Sequence, residues 1–406
     1  MSIVTVRPSL ALRVAPFLAF AGFGVFWGVW GATLPLLRAR AGVGDAEFGL
    51  ALLLVGAGAL PAMLLTGRLV DALGLRVTGV LLALLGLMGV VLSAASVSYV
   101  ALCAGVLCVG ASSGAADVAI NTLAATVERR TGRPVVARSH AAFSASVAVA
   151  SLSAGALSAT AGRLLVTFAV AAVVVVALGL GVVAATRSAP ARDADAPGSP
   201  EPAGRTPWWT GLLVVGAIGA LAFAAENAYQ TWAAVLLTDA FTASPALAAV
   251  APAAFATTAA LTRLATAAIT LRRAIATLVV ASTIATAGGL LTAFAATPPL
   301  ALVGITAAAV GTSVLFPTLL SYGLRPVADG SRGRATSAIS TVAYLGYLAG
   351  PACFGLLADA TGVQKAFLGV AALTAVLPAT IPALSVLRRA GAVSPPRDEE
   401  PSSIRT

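Results

Sequence analysis

Lysine, histidine and cysteine are nearly missing from this 406-residue chain, and charge of either sign is scarce. Of 25 basic residues only Lys365 is a lysine, and Ala366 follows it, so no Gly-x-x-x-x-Gly-Lys-Ser/Thr phosphate loop can be written anywhere. A nucleotide-driven motor built on that loop is therefore excluded. The one histidine, His140, and the three cysteines, Cys103, Cys108 and Cys353, show no metal-ligand spacing, and each cysteine lies inside an apolar run. No disulfide framework, metal site, cofactor site or catalytic constellation is expected, and the chain does not read as an enzyme. Charged residues make up 10% of the chain and hydrophobic ones 59%, whereas soluble domains carry roughly 25% charge. A net charge of +10 would suggest a nucleic-acid partner in a soluble protein. Here the charge lies in short connections, where anionic lipid headgroups are the natural partner, so nucleic acid is not expected.

What is present is a series of apolar runs of about 20 residues, the length that crosses a bilayer as a helix. They fall near 14–36, 47–67, 77–97, 99–125, 139–161 and 164–186, then 209–237, 246–269, 274–296, 300–322, 336–358 and 365–387. With the N-terminus placed in the cytoplasm, only Arg38, Arg40, Arg163 and Lys365 fall outside, leaving 21 of the 25 basic residues inside. That bias predicts a multi-pass membrane protein with both termini cytoplasmic. Ser188 to Pro207 carries five prolines, Pro190, Pro197, Pro200, Pro202 and Pro207, beside Asp193, Asp195 and Glu201. It reads as a cytoplasmic linker. The predicted organisation is a six-helix bundle over 1–187, a linker over 188–207, a second bundle over 208–389 and a disordered tail over 390–406.

The halves echo one another. Trp30-Gly-Ala-Thr-Leu34-Pro35 in the first span matches Trp232-Ala-Ala-Val-Leu236-Leu237 in the seventh, and Gly67-Arg68-Leu69 after the second matches Thr262-Arg263-Leu264 after the eighth. Two parallel six-helix halves place a substrate near the bilayer midplane between them. The loop Gly67-Arg-Leu-Val-Asp71-Ala-Leu-Gly74-Leu-Arg76 resembles the signature of the major facilitator superfamily between its second and third helices. Asp117-Val-Ala-Ile-Asn121, Glu128-Arg-Arg-Thr-Gly132-Arg133-Pro134, His140-Ala-Ala-Phe143-Ser144 and Gly346-Tyr-Leu-Ala-Gly350-Pro351 resemble a narrower bacterial branch, the YbjJ-like transporters. The resemblance implies an all-α membrane protein of about twelve helices in two pseudo-symmetric bundles, acting as a monomer by alternating access. It also implies that Gly67, Asp71, Gly74 and Arg76 form a cytoplasmic gate, with Asp71 pairing near Arg334 at the start of the eleventh span. Ala72 departs from the family pattern at a usually basic position, which removes one gate contact. The alternative is a tight turn with no gating role.

Two acids stand inside the apolar runs. Ionisable groups in mid-bilayer cost at least about 2.5 kcal/mol and mark function by default. Asp117 on the fourth span and Glu226 on the seventh have no Lys or Arg partner in any span interior, so desolvation favours their neutral forms and makes both candidate proton carriers. Asp117 is similar in placement to the acid of proton-coupled sugar symporters; the bland alternative is an interhelical clamp. Asn121, one turn from Asp117, and Asn227, Tyr229 and Gln230, around Glu226, are the polar candidates for substrate contact. The branch carries a second acid where Gln230-Thr231-Trp232 stands, and its loss leaves coupling at Glu226 open. Trp30 on the first span and Tyr344 and Tyr347 on the eleventh add aromatic faces suited to ring stacking, although packing would use the same residues. His140 reads as a helix-start cap, with pH sensing as the alternative.

The expected function is a secondary active transporter, proton-coupled, moving a small polar metabolite, with a sugar-like compound as one candidate. A proton-driven exporter of an amphipathic metabolite or antibiotic is the alternative. Exporters of the superfamily usually carry a Gly-Pro pair in the fifth helix; here that helix has no proline and Gly350-Pro351 lies in the eleventh. A membrane sensor that transports nothing is a third possibility.

Overall fold

The computed structural model describes residues 9–161, 164–187, 209–325, 327 and 332–380, with the side chains of 160–161, 209, 267–272 and 332–334 outside that description. The predicted linker and tail fall almost entirely outside it. Among the described residues the ordered elements are helices. In the first half these are α1 (Leu10–Ala41), α2 (Asp45–Leu73), α3 (Val77–Ala95), α4 (Tyr99–Thr131), α5 (Val135–Ala161) and α6 (Leu164–Thr186). The second half holds α7 (Trp209–Phe241), α8 (Pro245–Ala248), α9 (Val250–Arg272), α10 (Ala274–Ala293), α11 (Pro298–Gly323), α12 (Arg332–Thr361) and α13 (Val363–Thr380). The short α8 opens the same span as α9, so 12 helices are long and apolar enough to cross a membrane.

Several helices overrun the hydropathy boundaries because caps, not hydrocarbon, end them. α1 starts where the Ser9 hydroxyl accepts the Leu12 amide at 3.2 Å. It stops at Gly42, whose φ of 66° is the left-handed conformation that glycine adopts without a Cβ clash. Glu47 reaches back to the Gly44 amide at 3.2 Å, giving α2 an acidic first turn that suits the helix dipole. On the outer surface Leu64, Val100 and Val173 are 80%, 77% and 70% exposed. Apolar side chains this bare belong against lipid tails rather than water.

The two halves repeat one packing scheme. In the first, α1 packs on α5 and α6, α2 on α4, and α3 on α4 and α6. In the second, α7 packs on α12 and α13, α9 on α11, and α10 on α11 and α13. These are the same pairings shifted by six spans. Small residues permit the approach: a Cβ at Gly58 would collide with the Leu107 carbonyl of α4, and one at Gly346 with the Ala220 carbonyl of α7. Close backbone approach replaces the hydrophobic drive that lipid cannot supply between helices.

The halves meet through α2 with α12, α5 with α8 and α9, and α1 with α7. The named contacts of this seam gather at the end opposite the termini. Gly49 lies against Pro351 and Gly355, Phe48 stacks edge-on to Trp232 at 5.8 Å, and the Ser151 hydroxyl donates to the Ala249 carbonyl at 2.9 Å. At that rim Arg38 joins Asp45 of its own half and reaches Asp239 of the other at 2.5 Å. The seam is thus shut on one side of a central cavity.

Candidate functional site

Between the halves lies a cavity of about 390 Å³, within the usual range of small-molecule sites. Its apolar wall is aromatic. Phe23, Trp27 and Trp30 come from α1, Phe143 from α5, Phe223 from α7 and Phe255 from α9. The α1 stripe follows from i, i+4 and i+7 spacing, which puts Phe23, Trp27 and Trp30 on one face, with Trp27 edge-on to both neighbours at 6.2 Å and 5.8 Å. Trp27 therefore faces the cavity as well as Trp30.

The polar wall is built from α4, α7, α9 and α12. Asp117, Glu226, Gln230, Arg263, Tyr344 and Tyr347 all line it. Asn121, one turn along α4, donates to the Asp117 carbonyl at 2.9 Å and to Asp117 Oδ1 at 3.1 Å. Asp117 has no cationic partner among the described residues. Ser113 and Gly114 flank it toward the cavity, and Gly114 admits the Ala59 backbone of α2 at a distance that a Cβ would forbid.

Glu226 is the main correction to the sequence expectation. Arg263 Nη2 donates to Glu226 Oε1 at 2.7 Å, so this acid does have a guanidinium partner. The charge bias had counted Arg263 with the cytoplasmic side, although it falls within the 246–269 run. α9 extends to Arg272 and holds Arg263 in the cavity wall, where its Nε also donates to the Ser313 carbonyl at 2.9 Å. Gln230 Nε2 donates to the same Oε1 at 3.0 Å, and the Tyr347 hydroxyl donates to Gln230 Oε1 at 3.4 Å. Glu226 Oε2 is buried without a partner. The claim that both acids are uncompensated thus fails for Glu226 and holds for Asp117.

The other expected contacts divide. Gln230, Tyr344, Tyr347 and Trp30 line the cavity. Asn121 acts on Asp117 rather than forming the wall. Asn227 is spent inside the second half, donating to the Tyr347 carbonyl at 2.6 Å and accepting from Thr231 at 3.0 Å. Tyr229 is fully buried away from the cavity, between Phe255 at 5.8 Å and Phe367 at 5.0 Å. Its 300° rotation from Glu226 at 100° per residue leaves it to one side of the face that Gln230 extends. Phe143, Phe223, Phe255 and Arg263 were missed. Isolated phenylalanines in apolar runs carry no distinguishing signal, but an arginine within reach of a span end did.

In the expected gate loop, Gly74 has a φ of 76° and ends α2, as a tight turn requires. Gly67 faces open space. Arg76 donates to the Arg187 carbonyl at the end of α6, a tie within the first half rather than across the seam. Asp71 is exposed, and the side chain of its expected partner Arg334 lies outside the described residues. His140 meets Phe20 edge-on at 4.7 Å near the start of α5.

Two pseudo-symmetric bundles of membrane-length helices around a central cavity make up the architecture of a membrane transporter. The profile of the Major Facilitator Superfamily matches residues 16–327 and 215–406. The chain is 30% identical to a major facilitator-type transporter of Yersinia pestis over 379 residues, covering 91% of this chain and 94% of that one. It is also 30% identical to a transporter of Sinorhizobium fredii, over 88% of this chain and 95% of the relative. The chain belongs to the major facilitator superfamily. In fold it is similar to a bacterial homologue of the human lysosomal transporter Spinster in an inward-facing conformation, with a TM-score of 0.72 at 15% identity over 95% of this chain and 98% of that one. The nucleoside transporter NupG gives a TM-score of 0.68 at 16% identity over 92% and 98%.

Proposed function

We propose that this major facilitator protein is a proton-coupled secondary transporter of a small metabolite, with Asp117 as the proton carrier. The observation that carries the reading is an acid on the cavity wall with one amide donor and no cation. A proton is the smallest charge that can relieve it, and the seam, closed on one side only, gives each state access to one compartment. Glu226, held by Arg263, orients Gln230 and the Arg263 guanidinium rather than cycling protons.

We place the protein in the bacterial cytoplasmic membrane with both termini cytoplasmic. With Arg263 counted in the cavity, 20 of the 25 basic residues still fall on that side, and the described state is then inward-facing. Bundles over 1–187 and 208–389 enclose the whole cavity in one chain, which supports a monomeric unit. The loop of Gly67, Asp71, Gly74 and Arg76 serves as the cytoplasmic gate, in keeping with its resemblance to the superfamily signature loop. A sugar-like substrate was the first expectation; the aromatic wall of Phe23, Trp27, Trp30 and Phe143 favours the second reading, an amphipathic one.

The test uses vesicles loaded with a pH-sensitive dye and a panel of sugars, polyols and aromatic amines. Substrate-dependent proton movement above that of protein-free vesicles is expected for the wild type and is lost in Asp117→Asn. Unchanged coupled proton flux in Asp117→Asn removes Asp117 from the mechanism.

A further inference from the structure

The hydrogen-bond inventory around the two acids is unbalanced. The nearest donors are already engaged: the Asn121 amide on Asp117, the Gln230 amide and Arg263 on Glu226 Oε1, the Tyr347 hydroxyl on Gln230, and the Thr231 hydroxyl on Asn227. Two carboxylate oxygens are left over. Glu226 Oε2 is buried without a donor and sealed from the cavity. Asp117 Oδ2 has no donor among the described residues and belongs to a half-buried side chain that lines the cavity. What the wall lacks is therefore a donor, and Arg263 is the only basic residue among its lining residues against Asp117 and Glu226. Tyr344 and Tyr347 line the same cavity as both acids. So do Phe23, Trp27, Trp30 and Phe143, whose ring quadrupoles attract cations.

We propose that the transported substrate is an organic cation bearing N–H donors on an aromatic or apolar body, its ammonium or amidinium group set on Asp117 Oδ2 in the cavity that the Glu226–Arg263 pair also lines. The proposal rests on the reading of the cavity as the transport site and narrows it to a ligand class. It also gives the coupling a physical form. Proton and substrate cation compete for the same Asp117 oxygen, so occupancy by one releases the other. Arg263 then attracts carboxylate-bearing ligands less strongly than a bare cation would, because Glu226 already neutralises it.

The experiment compares three ligands of similar shape by equilibrium dialysis with the purified full-length protein in detergent. They are 2-(1-naphthyl)ethylamine, 2-(1-naphthyl)ethanol and 1-naphthylacetate, which present a cation, a neutral group and an anion. The wild type is expected to bind the amine about tenfold more tightly than the alcohol, the gain of one charge-assisted hydrogen bond. The anion should bind least. In Asp117→Asn the amine's advantage falls to about twofold or less while alcohol binding persists, which also shows that the variant is folded. Equal binding of amine and alcohol by the wild type overturns the proposal. So does tighter binding of the anion, or no binding of any of the three. Proton flux in the vesicle assay separates the two levels. Coupled flux with a neutral or anionic compound sinks the cation class alone, and the expected affinity order without any coupled flux sinks the transport reading alone.

Discussion

Replacing Arg263 with glutamine should unmask the charge of Glu226, and the cost can be worked out. The Glu226 side chain is 6% exposed and that of Arg263 is 43% exposed. Breaking a fully buried pair costs about 3–5 kcal/mol, but the half-exposed guanidinium lowers the expected loss to about 2–3 kcal/mol at pH 7. Reversible unfolding of both proteins in mixed micelles at pH 7 reads this difference. The double variant Arg263→Gln, Glu226→Gln removes the stranded charge and should return to within about 1 kcal/mol of the wild type. A single variant as stable as the wild type, or a double variant no more stable than the single one, refutes the claim that this pair neutralises a buried acid.

Other outcomes follow from the same geometry. Arg38→Gln severs the link to Asp239, whose side chain is 30% exposed; such a pair holds at most about 1 kcal/mol, so the closed-seam population should drop by up to about fivefold. Spin-label distances between Ala46 and Leu247 report it, and an unchanged distance distribution counts against a latch. Gly58→Leu drives a side chain into the Leu107 carbonyl and should abolish folded yield on gel filtration, whereas Gly67→Ala, in open space, should leave it intact. Ser151→Ala deletes the hydroxyl bond to Ala249 across the seam, worth about 1 kcal/mol, and should raise cysteine accessibility at position 249 in an Ala249→Cys background.

Much of the fold was legible because hydropathy and length dictate membrane helices one at a time. Boundaries were not, since the α1 ends depend on Ser9 and Gly42 rather than on apolarity. At the site, Asp117 and Glu226 announced themselves as acids in apolar runs, and both do line the cavity. The partner of Glu226 could not be read, because it lies 37 positions away on another helix, where its charge had been counted with the cytoplasmic connections. Helical spacing grouped Tyr229 with Gln230, yet a 100° step separates them, and packing against Phe255 and Phe367 turned one inward to the core and the other to the cavity. Charge bias gave Arg38 a side of the membrane; only the fold shows that it spans two halves.

Where α2 meets α12, Gly49 and Gly355 set bare main chain against bare main chain. Along the same seam the Leu348 side chain of α12 sits in the hollow at Gly56 of α2. Parting of the two surfaces would then combine sliding along the glycine stretch with withdrawal of that leucine. The bulk at position 348 would set the ease of separation alongside the charged clasp at Arg38.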